Sequence, residues 1–346
     1  MADLVAVAMS GGVDSGVAAA LLKKRGYQVV GLTMLLWGEG SRCCSPQEVR
    51  AARRIAQKLA IPHYTLDLRS SFQREVVDYF LAEHKRGRTP NPCAICNQRI
   101  KFGLLLRKAL SLGAKRLATG HYARLEAHNG RLSLQKGVDA QKDQSYFLAR
   151  LARRTLGSIL FPVGGLEKGE VRELAQKLGL ALEGKRESQE VCFLPPGGVA
   201  PFLKERLGSG KTKITDRGGR VLGTTDNPYG FTLGQRRGLK VAEGRPLYVL
   251  EIKPMEEIVL GEERDLYAGM LWATQPNWIE EEPLGEARVW VKIRSRQEPS
   301  PAVIEPQGGR VRVRFDSPQR AITPGQLAVF YQGDKVLGSG WIEEVG

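Results

Sequence analysis

Through the first 120 residues, short apolar runs alternate with longer segments of helical periodicity. Apolar runs of about four to eight residues are typical of buried strands, and apolar residues spaced three and four apart are typical of helices. The pattern predicts strands over residues 4–9, 29–36, 63–68 and 116–120, and helices over residues 16–24, 46–59, 71–84 and 102–112. This alternation indicates a parallel sheet with helices on both faces, in which ligands bind at the carboxyl ends of the strands.

The pattern changes near Gly208, where glycine-containing turn signals become dense. Farther along the chain, short runs with alternating apolar residues predict strands over residues 287–293, 310–315, 326–331 and 336–342. Several short strands joined by turns indicate a small antiparallel barrel or sandwich. We therefore predict an α/β nucleotide-binding domain over residues 1–205, a small central module over residues 206–270 and a C-terminal antiparallel β-barrel over residues 271–346.

The positive charge of the chain is unevenly distributed. The 346 residues carry a formal net charge of +15 and are enough for two or three domains with a sizeable core. Residues 69–154 contain 18 Lys and Arg against 6 Asp and Glu, whereas residues 276–346 contain 9 against 10. A concentrated basic region predicts a surface that binds a polyanion, and the alternative is a solvated charged surface without a partner.

The remaining composition bears on the cellular compartment. No run of about 18 apolar residues predicts a membrane span, and the N-terminus lacks the basic and apolar regions of a signal peptide. We therefore expect a cytoplasmic protein without a membrane partner. The five cysteines are odd in number, so in a reducing compartment they are expected to be thiols, metal ligands or catalytic groups instead of structural disulfides.

One glycine- and serine-rich string follows the first predicted strand directly and opens the first helix. Residues 10–15 read Ser-Gly-Gly-Val-Asp-Ser. Glycines bring successive N–H groups against an anion, the helix N-terminus adds partial positive charge, and serine hydroxyls donate to phosphate oxygens. The string lacks the Lys-Ser/Thr pair of a Walker A loop and the spacing of a dinucleotide fingerprint. It predicts a pyrophosphate cradle, with an ordinary glycine turn as the alternative.

This string resembles the PP-loop of the ATP pyrophosphatase superfamily, whose members cleave ATP between the α and β phosphates and adenylate an oxygen. Five further blocks follow in order, and together they resemble the bacterial tRNA-specific 2-thiouridylase family (MnmA). The blocks are TPNPCAICN with IKF (residues 89–102), TGHYAR (119–124), KDQSYFL (142–148), SQEVCF (188–193) and TLGQRRGL (232–239). The β-rich tail agrees with the C-terminal barrel of that family.

The resemblance implies thiolation at C2 of the wobble uridine, position 34, in certain tRNAs, with those for Lys, Glu and Gln as the expected substrates. The uridine O2 attacks the α-phosphate of ATP, pyrophosphate leaves, and a sulfur nucleophile then expels AMP from the adenylated base. The target base is expected to leave its stack in the anticodon loop, and basic residues are expected to hold the tRNA backbone. The implied cofactors are ATP and Mg²⁺.

The resemblance also assigns roles to individual residues. Asp14 is the implied catalytic carboxylate, with Mg²⁺ bound to pyrophosphate as its partner and helix capping as the alternative. The implied ATP-binding residues are Ser10, Gly11, Gly12, Val13, Asp14, Ser15, Met34, Gly120 and His121. The implied tRNA-binding residues are Lys142, Asp143, Gln144, Ser145, Gln235, Arg236 and Arg237. The alternative interpretation of His121 is a histidine buried in the core. Relatives often carry His and Gly where this chain has Thr225 and Asn227.

Three cysteines carry the implied sulfur chemistry. In the family account, a cysteine at the position of Cys192 carries a persulfide and one at the position of Cys96 resolves the bond. Family members commonly have Asp where this chain has Cys93, so Cys93-x-x-Cys96 with Cys192 suggests three ligands of a [4Fe–4S] cluster whose fourth iron is open. We favour this cluster over the persulfide relay, in which Cys93 is a spectator or a redox partner of Cys96. A structural zinc site is a third possibility, but it lacks an obvious fourth ligand.

Three matters are open at this stage. Cys43 and Cys44 are adjacent and are left out of the site, because neighbouring cysteines rarely chelate one metal well. The sulfur donor is a relay protein or free sulfide. Two other functions are compatible with parts of the sequence: a PP-loop ligase or amidating enzyme acting on a small molecule, and a non-catalytic tRNA-binding or iron–sulfur-sensing protein.

Overall fold

A computed structural model describes residues 2–38, 45–180, 191–195, 197–241 and 243–346. The helices within these ranges are α1 (Val13–Lys24), α2 (Pro46–Lys58), α3 (Arg69–Phe72), α4 (Asp78–Lys85), α5 (Pro92–Ile95), α6 (Leu106–Ser111), α7 (Ser145–Leu148), α8 (Lys168–Lys177) and α9 (Val199–Leu207). The π-helical segments Gln73–Val77 and Cys96–Leu105 join α3 to α4 and α5 to α6, and 3₁₀ turns span Arg153–Ser158 and Glu263–Leu266. None of these helices is long and apolar enough to cross a lipid bilayer.

The N-terminal half contains one parallel sheet and one hairpin. Its strands are β1 (Leu4–Ala8), β2 (Gln28–Leu35), β3 (His63–Asp67), β4 (Arg116–Ala118), β5 (Ala123–His128), β6 (Arg131–Lys136) and β7 (Ile159–Leu160). The sheet order is β3-β2-β1-β4-β7, and all neighbouring strands are parallel. Strand β1 lies between β2 and β4, so the chain order reverses there and a crevice opens at the carboxyl end of β1. The predicted parallel sheet is confirmed.

Alternation along β1 divides the core into two layers. The side chains of Val5 and Val7 pack in one cluster with apolar residues of α1, α2 and α8, whereas Ala6 packs in the other with Phe72 and Leu117. Successive strand residues point to opposite faces of a sheet, so a strand covered on both faces is apolar throughout. This explains why the first strand is a continuous apolar run in the sequence.

Two helices begin earlier than the sequence pattern predicts. Helix α1 begins at Val13, because Gly12 is the last residue with extended backbone. The predicted helix over residues 102–112 is the end of a longer one that begins at Pro92. The Asn91 side chain accepts a hydrogen bond from the Ala94 N–H (3.1 Å), and proline suits the first helical position because it lacks an N–H to satisfy.

The β5–β6 hairpin was not predicted, although the sequence contains a signal for it. Asn129 and Gly130 connect the strands with φ of 50° and 74°, the left-handed pair that a tight type I′ turn requires. The hairpin also touches the C-terminal part of the chain, because Gln135 of β6 pairs with Lys335.

The central and C-terminal strands form two further sheets. They are β8 (Thr212–Asp216), β9 (Val221–Thr225), β10 (Tyr248–Lys253), β11 (Glu257–Gly261), β12 (Tyr267–Trp278), β13 (Ala287–Lys292), β14 (Ser300–Gln307), β15 (Arg310–Arg320), β16 (Leu327–Gln332) and β17 (Lys335–Val345). The central sheet has the order β10-β11-β8-β9. In the C-terminal part the order β12-β15-β14-β13-β16-β17 closes through pairing of β12 with β17. This antiparallel barrel confirms the predicted C-terminal fold.

Candidate active site

The Ser-Gly-Gly-Val-Asp-Ser string lies at the reversal point of the parallel sheet. It connects the end of β1 at Ala8 to the start of α1 at Val13. Gly11 has φ of +71°, and a Cβ there would come within 2.5 Å of the Glu48 carbonyl oxygen of α2. A side chain is therefore excluded both by backbone conformation and by the close approach of α2.

The two serines of the loop hold its backbone. The Ser10 N–H donates to the Ser15 hydroxyl oxygen (3.2 Å), and the Ser15 hydroxyl donates to the Gly12 carbonyl oxygen (3.1 Å). Gly12 precedes the helix and has no side chain with which to cap it. The first N–H groups of α1 are thereby left to an external acceptor, and a helix N-terminus favours an anion.

The Asp14 carboxylate, in the first turn of α1, is held from two other elements. Its Oδ1 accepts hydrogen bonds from the Tyr122 hydroxyl (2.8 Å) and the Lys168 ammonium (2.6 Å). Lys168 is the first residue of α8 and is buried, and its own N–H donates to the Asp139 carboxylate (3.0 Å). Asp14 thus forms a partly buried ion pair at the loop instead of capping the helix that contains it.

Sequence reasoning missed both Lys168 and Tyr122. Lys168 follows Glu167, and the Glu167 and Glu170 side chains form a capping box at the start of α8. That box could have located the helix N-terminus from the sequence, but the approach of α8 to the PP-loop depends on tertiary packing. Tyr122 belongs to a block that was singled out, yet nothing in its spacing indicates a contact with Asp14.

Gly120 and His121 follow β4, the neighbour of β1. A Cβ on Gly120 would lie 2.7 Å from backbone atoms of Asp14 and Ser15, so the glycine permits close contact with the start of α1. The His121 Nδ1 lies 2.7 Å from the Thr119 hydroxyl, and Nε2 lies 3.4 Å from the Lys101 ammonium. Burial, assisted by Lys101, holds the pKa of His121 well below its ordinary value, so the ring is neutral. Because an ammonium only donates, we infer that Nε2 accepts and Nδ1 carries the proton.

Met34 and the block over residues 142–145 take different positions around this crevice. Met34 is buried in β2, opposite Leu66 of β3.

Gln144 exchanges hydrogen bonds with the backbone of Tyr122, whose hydroxyl contacts Asp14. The Asp143 carboxylate accepts from the Gly137 N–H and from the Ser145 N–H and hydroxyl, and Ser145 is fully buried. Asp143 and Ser145 therefore shape this loop from within, and Lys142 and Gln144 are half-buried.

The three cysteines lie in different environments. Cys93 in α5 is exposed, whereas Cys96, which begins the π-helical segment, is buried in the main core. Cys192 is half-buried against the same core, and the following Phe193 packs in an aromatic cluster with Trp37, Phe72 and Phe80.

The expected [4Fe–4S] site is not supported by this arrangement. Among the residues with described structure, no group of three or more His, Cys, Asp or Glu side chains is arranged to hold a metal ion. The three thiols lie in unlike environments, since Cys93 is exposed, Cys96 is buried among apolar residues and Cys192 is half-buried, and the described side chains around them supply no common metal-ligand set. Cys43, Cys44 and residues 188–190 lie outside the described residues.

Gln235, Arg236 and Arg237 lie in the loop before β10. The Gln235 side chain accepts from the Thr232 N–H (3.0 Å) and donates to the Arg237 carbonyl oxygen (2.9 Å), so it holds the loop. Arg236 and Arg237 are exposed. Arg236 also lines a surface cavity of about 530 Å³ together with Lys240 and Arg245.

Thr225 and Asn227 fall in a nearby turn. The Thr225 hydroxyl accepts from the Asn227 N–H (3.2 Å), and the Asn227 side chain donates to the Ala200 carbonyl oxygen of α9 (3.3 Å). In this chain the two residues join the central module to α9.

A glycine–serine loop between the first strand and first helix, at the reversal point of a parallel sheet, defines a PP-loop nucleotide-binding protein. Three sequence families match consecutive parts of the chain: the tRNA methyl transferase HUP domain over residues 3–196, the tRNA methyl transferase PRC-barrel domain over 200–260 and the aminomethyltransferase beta-barrel domain over 269–342. The chain belongs to the tRNA-specific 2-thiouridylase MnmA family.

Its relatives match nearly end to end. Proteins named tRNA-specific 2-thiouridylase MnmA are 46% identical over 354 residues in Geobacter metallireducens, 48% over 357 residues in Carboxydothermus hydrogenoformans and 47% over 354 residues in Moorella thermoacetica. Each match covers 98% of this chain and at least 96% of the relative.

Solved structures resemble part of the chain. An NMN synthetase from Francisella tularensis aligns with 60% of this chain and 73% of its own at 18% identity and a TM-score of 0.36. A 4-thiouridine synthetase in complex with RNA and ATP aligns with 59% of this chain and 49% of its own at 19% identity and a TM-score of 0.37.

Proposed function

We propose that this protein thiolates C2 of the wobble uridine of tRNA, with ATP as the activating substrate. The observation that carries the proposal is the PP-loop at the reversal point of the sheet, with the Asp14–Lys168 pair beside it, in a chain that aligns nearly end to end with the 2-thiouridylases. The three segments 1–205, 206–270 and 271–346 are proposed to act as the catalytic domain, a tRNA-contacting module and a supporting barrel.

In the first step, the uridine O2 attacks the α-phosphorus of ATP, and the bond to the β-phosphate oxygen breaks. Pyrophosphate leaves with the electron pair, and the base is left adenylated. The N-terminus of α1 and the Ser10 hydroxyl are suited to hold the phosphates, while Ser15 holds the backbone of the loop. Lys168 adds a positive charge where charge develops on the leaving pyrophosphate.

Asp14 is the residue that would hold a divalent cation here. Mg²⁺ is usually bound by one or two carboxylates together with substrate phosphates, and the Asp14 carboxylate beside the phosphate cradle fits that donor set. The cation would neutralise phosphate charge. The Tyr122 hydroxyl and the Lys168 ammonium both donate to Oδ1 of this carboxylate and so hold it in place beside the cradle.

In the second step, we propose sulfur delivery through thiols and not through an iron–sulfur cluster. A relay protein that carries a persulfide transfers its outer sulfur to the Cys192 thiolate. The terminal sulfur attacks C2 of the adenylated uridine and expels AMP. The Cys96 thiolate then attacks Cys192, releasing the 2-thiouridine and forming a Cys96–Cys192 disulfide, which an external dithiol reduces. Both thiols lie on the same hydrophobic core, and this shared location supports their acting as a pair.

The direct test is a reaction of purified protein with ATP, Mg²⁺, a persulfide donor and unmodified transcripts of the Lys, Glu and Gln tRNAs. We expect 2-thiouridine at position 34, and pyrophosphate release that depends on the tRNA. Transcripts with cytidine at position 34 serve as the matched control and are expected to remain unmodified. Pyrophosphate release that is indifferent to tRNA would contradict the proposal and favour a ligase acting on a small molecule.

Metal content tests the route of the sulfur. We expect anaerobically purified protein with less than one iron per chain to thiolate tRNA when a persulfide donor is supplied. Iron and sulfide analysis combined with a visible absorption spectrum checks this expectation. About four irons per chain, lost together with activity in each of Cys93→Ala, Cys96→Ala and Cys192→Ala, would replace the thiol route with a three-cysteine cluster.

Lys168→Gln is expected to slow pyrophosphate release by about a hundredfold, because a positive charge aimed at the transferring phosphates is removed. Single-turnover pyrophosphate release with saturating tRNA measures the effect. Lys177→Gln on the same helix is the matched control, since Lys177 is largely exposed and pairs only loosely with Glu173. Equal rates for the two variants would exclude Lys168 from the phosphate site.

A further inference from the structure

Residues 92–111 form one continuous helical run that contains Cys96 and is called the Cys96 helix below. The segment that precedes it is hydrogen-bonded to a turn of the C-terminal barrel. The Thr89 N–H donates to the Pro324 carbonyl oxygen (3.0 Å). The Gln326 side-chain amide donates to two successive carbonyl oxygens, those of Thr89 (2.9 Å) and Pro90 (3.1 Å). One amide group of the barrel therefore fixes two consecutive peptide units of the catalytic domain.

This barrel turn is itself held firmly. The Gly325 N–H donates to the Ile342 carbonyl oxygen (2.9 Å), and the Ile342 N–H donates to the Gln326 carbonyl oxygen (2.8 Å). Gly325 has φ of +91°, and a Cβ there would lie 2.9 Å from the Thr89 carbonyl oxygen. The two backbones thus approach as closely as glycine allows, so the turn acts as a rigid support.

Only a short, buried connection separates this contact from Cys96. Pro90, Asn91 and Pro92 are buried, and Asn91 caps α5 through the Ala94 N–H. Two prolines and a cap leave this connection little freedom to absorb a displacement. A shift of the Thr89–Pro90 backbone is therefore passed on to the helix that presents Cys93 and Cys96.

A second chain of hydrogen bonds links the barrel to the same helix. The Tyr146 hydroxyl donates to the carbonyl oxygen of Leu327, the residue after Gln326 (3.0 Å). Phe147, the residue after Tyr146, accepts at its carbonyl oxygen a hydrogen bond from the side chain of Asn97 (3.1 Å), the residue after Cys96. Two neighbouring barrel residues are therefore linked to the chain before and after Cys96 in sequence.

We propose that Gln326 is a positioning residue for sulfur transfer: through Thr89 and Pro90 it sets where the Cys96 thiol lies relative to the activated base. The inference rests on the proposed thiolation. Under this proposal the barrel affects the rate of sulfur transfer, although it is remote from the PP-loop in sequence. Adenylation is expected to be independent of Gln326, because the phosphate site is built on β1, α1, β4 and α8.

The test uses Gln326→Glu, which keeps the size of the side chain but replaces its donor with a carboxylate facing two carbonyl oxygens. Single-turnover thiolation is expected to slow by at least about tenfold, because small misplacements of reacting groups have effects of this order. Pyrophosphate release is expected to stay within about twofold of the wild type. Alkylation of Cys96 by iodoacetamide, followed by peptide mass analysis, is expected to accelerate as the helix loosens.

Gln332→Glu is the matched control, since Gln332 is exposed at the end of β16 in the same barrel. It is expected to match the wild type in all three measurements. Unchanged thiolation and unchanged Cys96 alkylation in Gln326→Glu would overturn the inference, as would an equal loss of adenylation and thiolation. If the wild type thiolates no tRNA, the proposed function fails, and the alkylation rates still decide whether Gln326 positions Cys96.

Discussion

Asp14→Asn is expected to reduce tRNA-dependent pyrophosphate release by about a thousandfold. The substitution removes the carboxylate in the first turn of α1 that is placed to bind a phosphate-bound cation, and it breaks the ion pair with the buried Lys168. Loss of electrostatic stabilisation at a reacting phosphate has effects of this size. Rapid-quench measurement of pyrophosphate and AMP, with tRNA and Mg²⁺ saturating, gives the rate.

Loss of folding stability is the competing explanation for this effect, and a second variant separates the two. Breaking a largely buried ion pair destabilises a protein, although the partial exposure of Asp14 reduces this cost. Asp14→Asn/Lys168→Gln removes both charges, so its melting temperature is expected to return toward that of the wild type. Its activity is expected to stay lost. A double variant that regains activity would show that the pair has only a structural role.

Cys192→Ser is expected to abolish thiolation while the first turnover of pyrophosphate release survives. The serine hydroxyl cannot carry a persulfide, whereas the phosphate site lies on other elements of the fold. The measurement combines a mercury-affinity gel for 2-thiouridine with single-turnover pyrophosphate release. We expect no detectable thiolated tRNA and a pyrophosphate burst within about twofold of the wild type.

The other cysteines provide the controls. Cys96→Ser is expected to stop turnover after sulfur has reached the base, leaving a covalent adduct between Cys192 and tRNA that a reducing gel removes. Cys93→Ser is expected to retain thiolation, because the proposed thiol route uses Cys96 and Cys192 and gives no step to the exposed Cys93. Loss of thiolation in all three variants would indicate a shared cluster, and loss of the pyrophosphate burst in Cys192→Ser would show that Cys192 is needed to build the site.

Sequence signals that span a few neighbouring residues are sufficient to predict much of the fold. Residues 10–15 predict a phosphate loop because glycine conformation and a helix N-terminus are local properties, and the loop lies where the alternation of strands and helices places it. The Asn129-Gly130 turn and the Asn91 cap with Pro92 are equally local, and both were open to prediction. The hairpin and the early helix start were missed because the surrounding patterns were weaker than the turn and cap signals they contain.

The parallel sheet, the C-terminal barrel, the phosphate loop and the family can be predicted from the chain alone, because each depends on short-range periodicity or on strings of adjacent residues. The contacts of Lys168 and Tyr122 with Asp14 become visible in the folded protein, because these residues approach Asp14 from 154 and 108 residues away. The tertiary structure also separates Cys93 from Cys96 by burial and joins Gln326 to Thr89 and Pro90. Contacts of this kind depend on how the sheet, helices and barrel pack together, and that packing cannot be predicted from the spacing of residues along the chain.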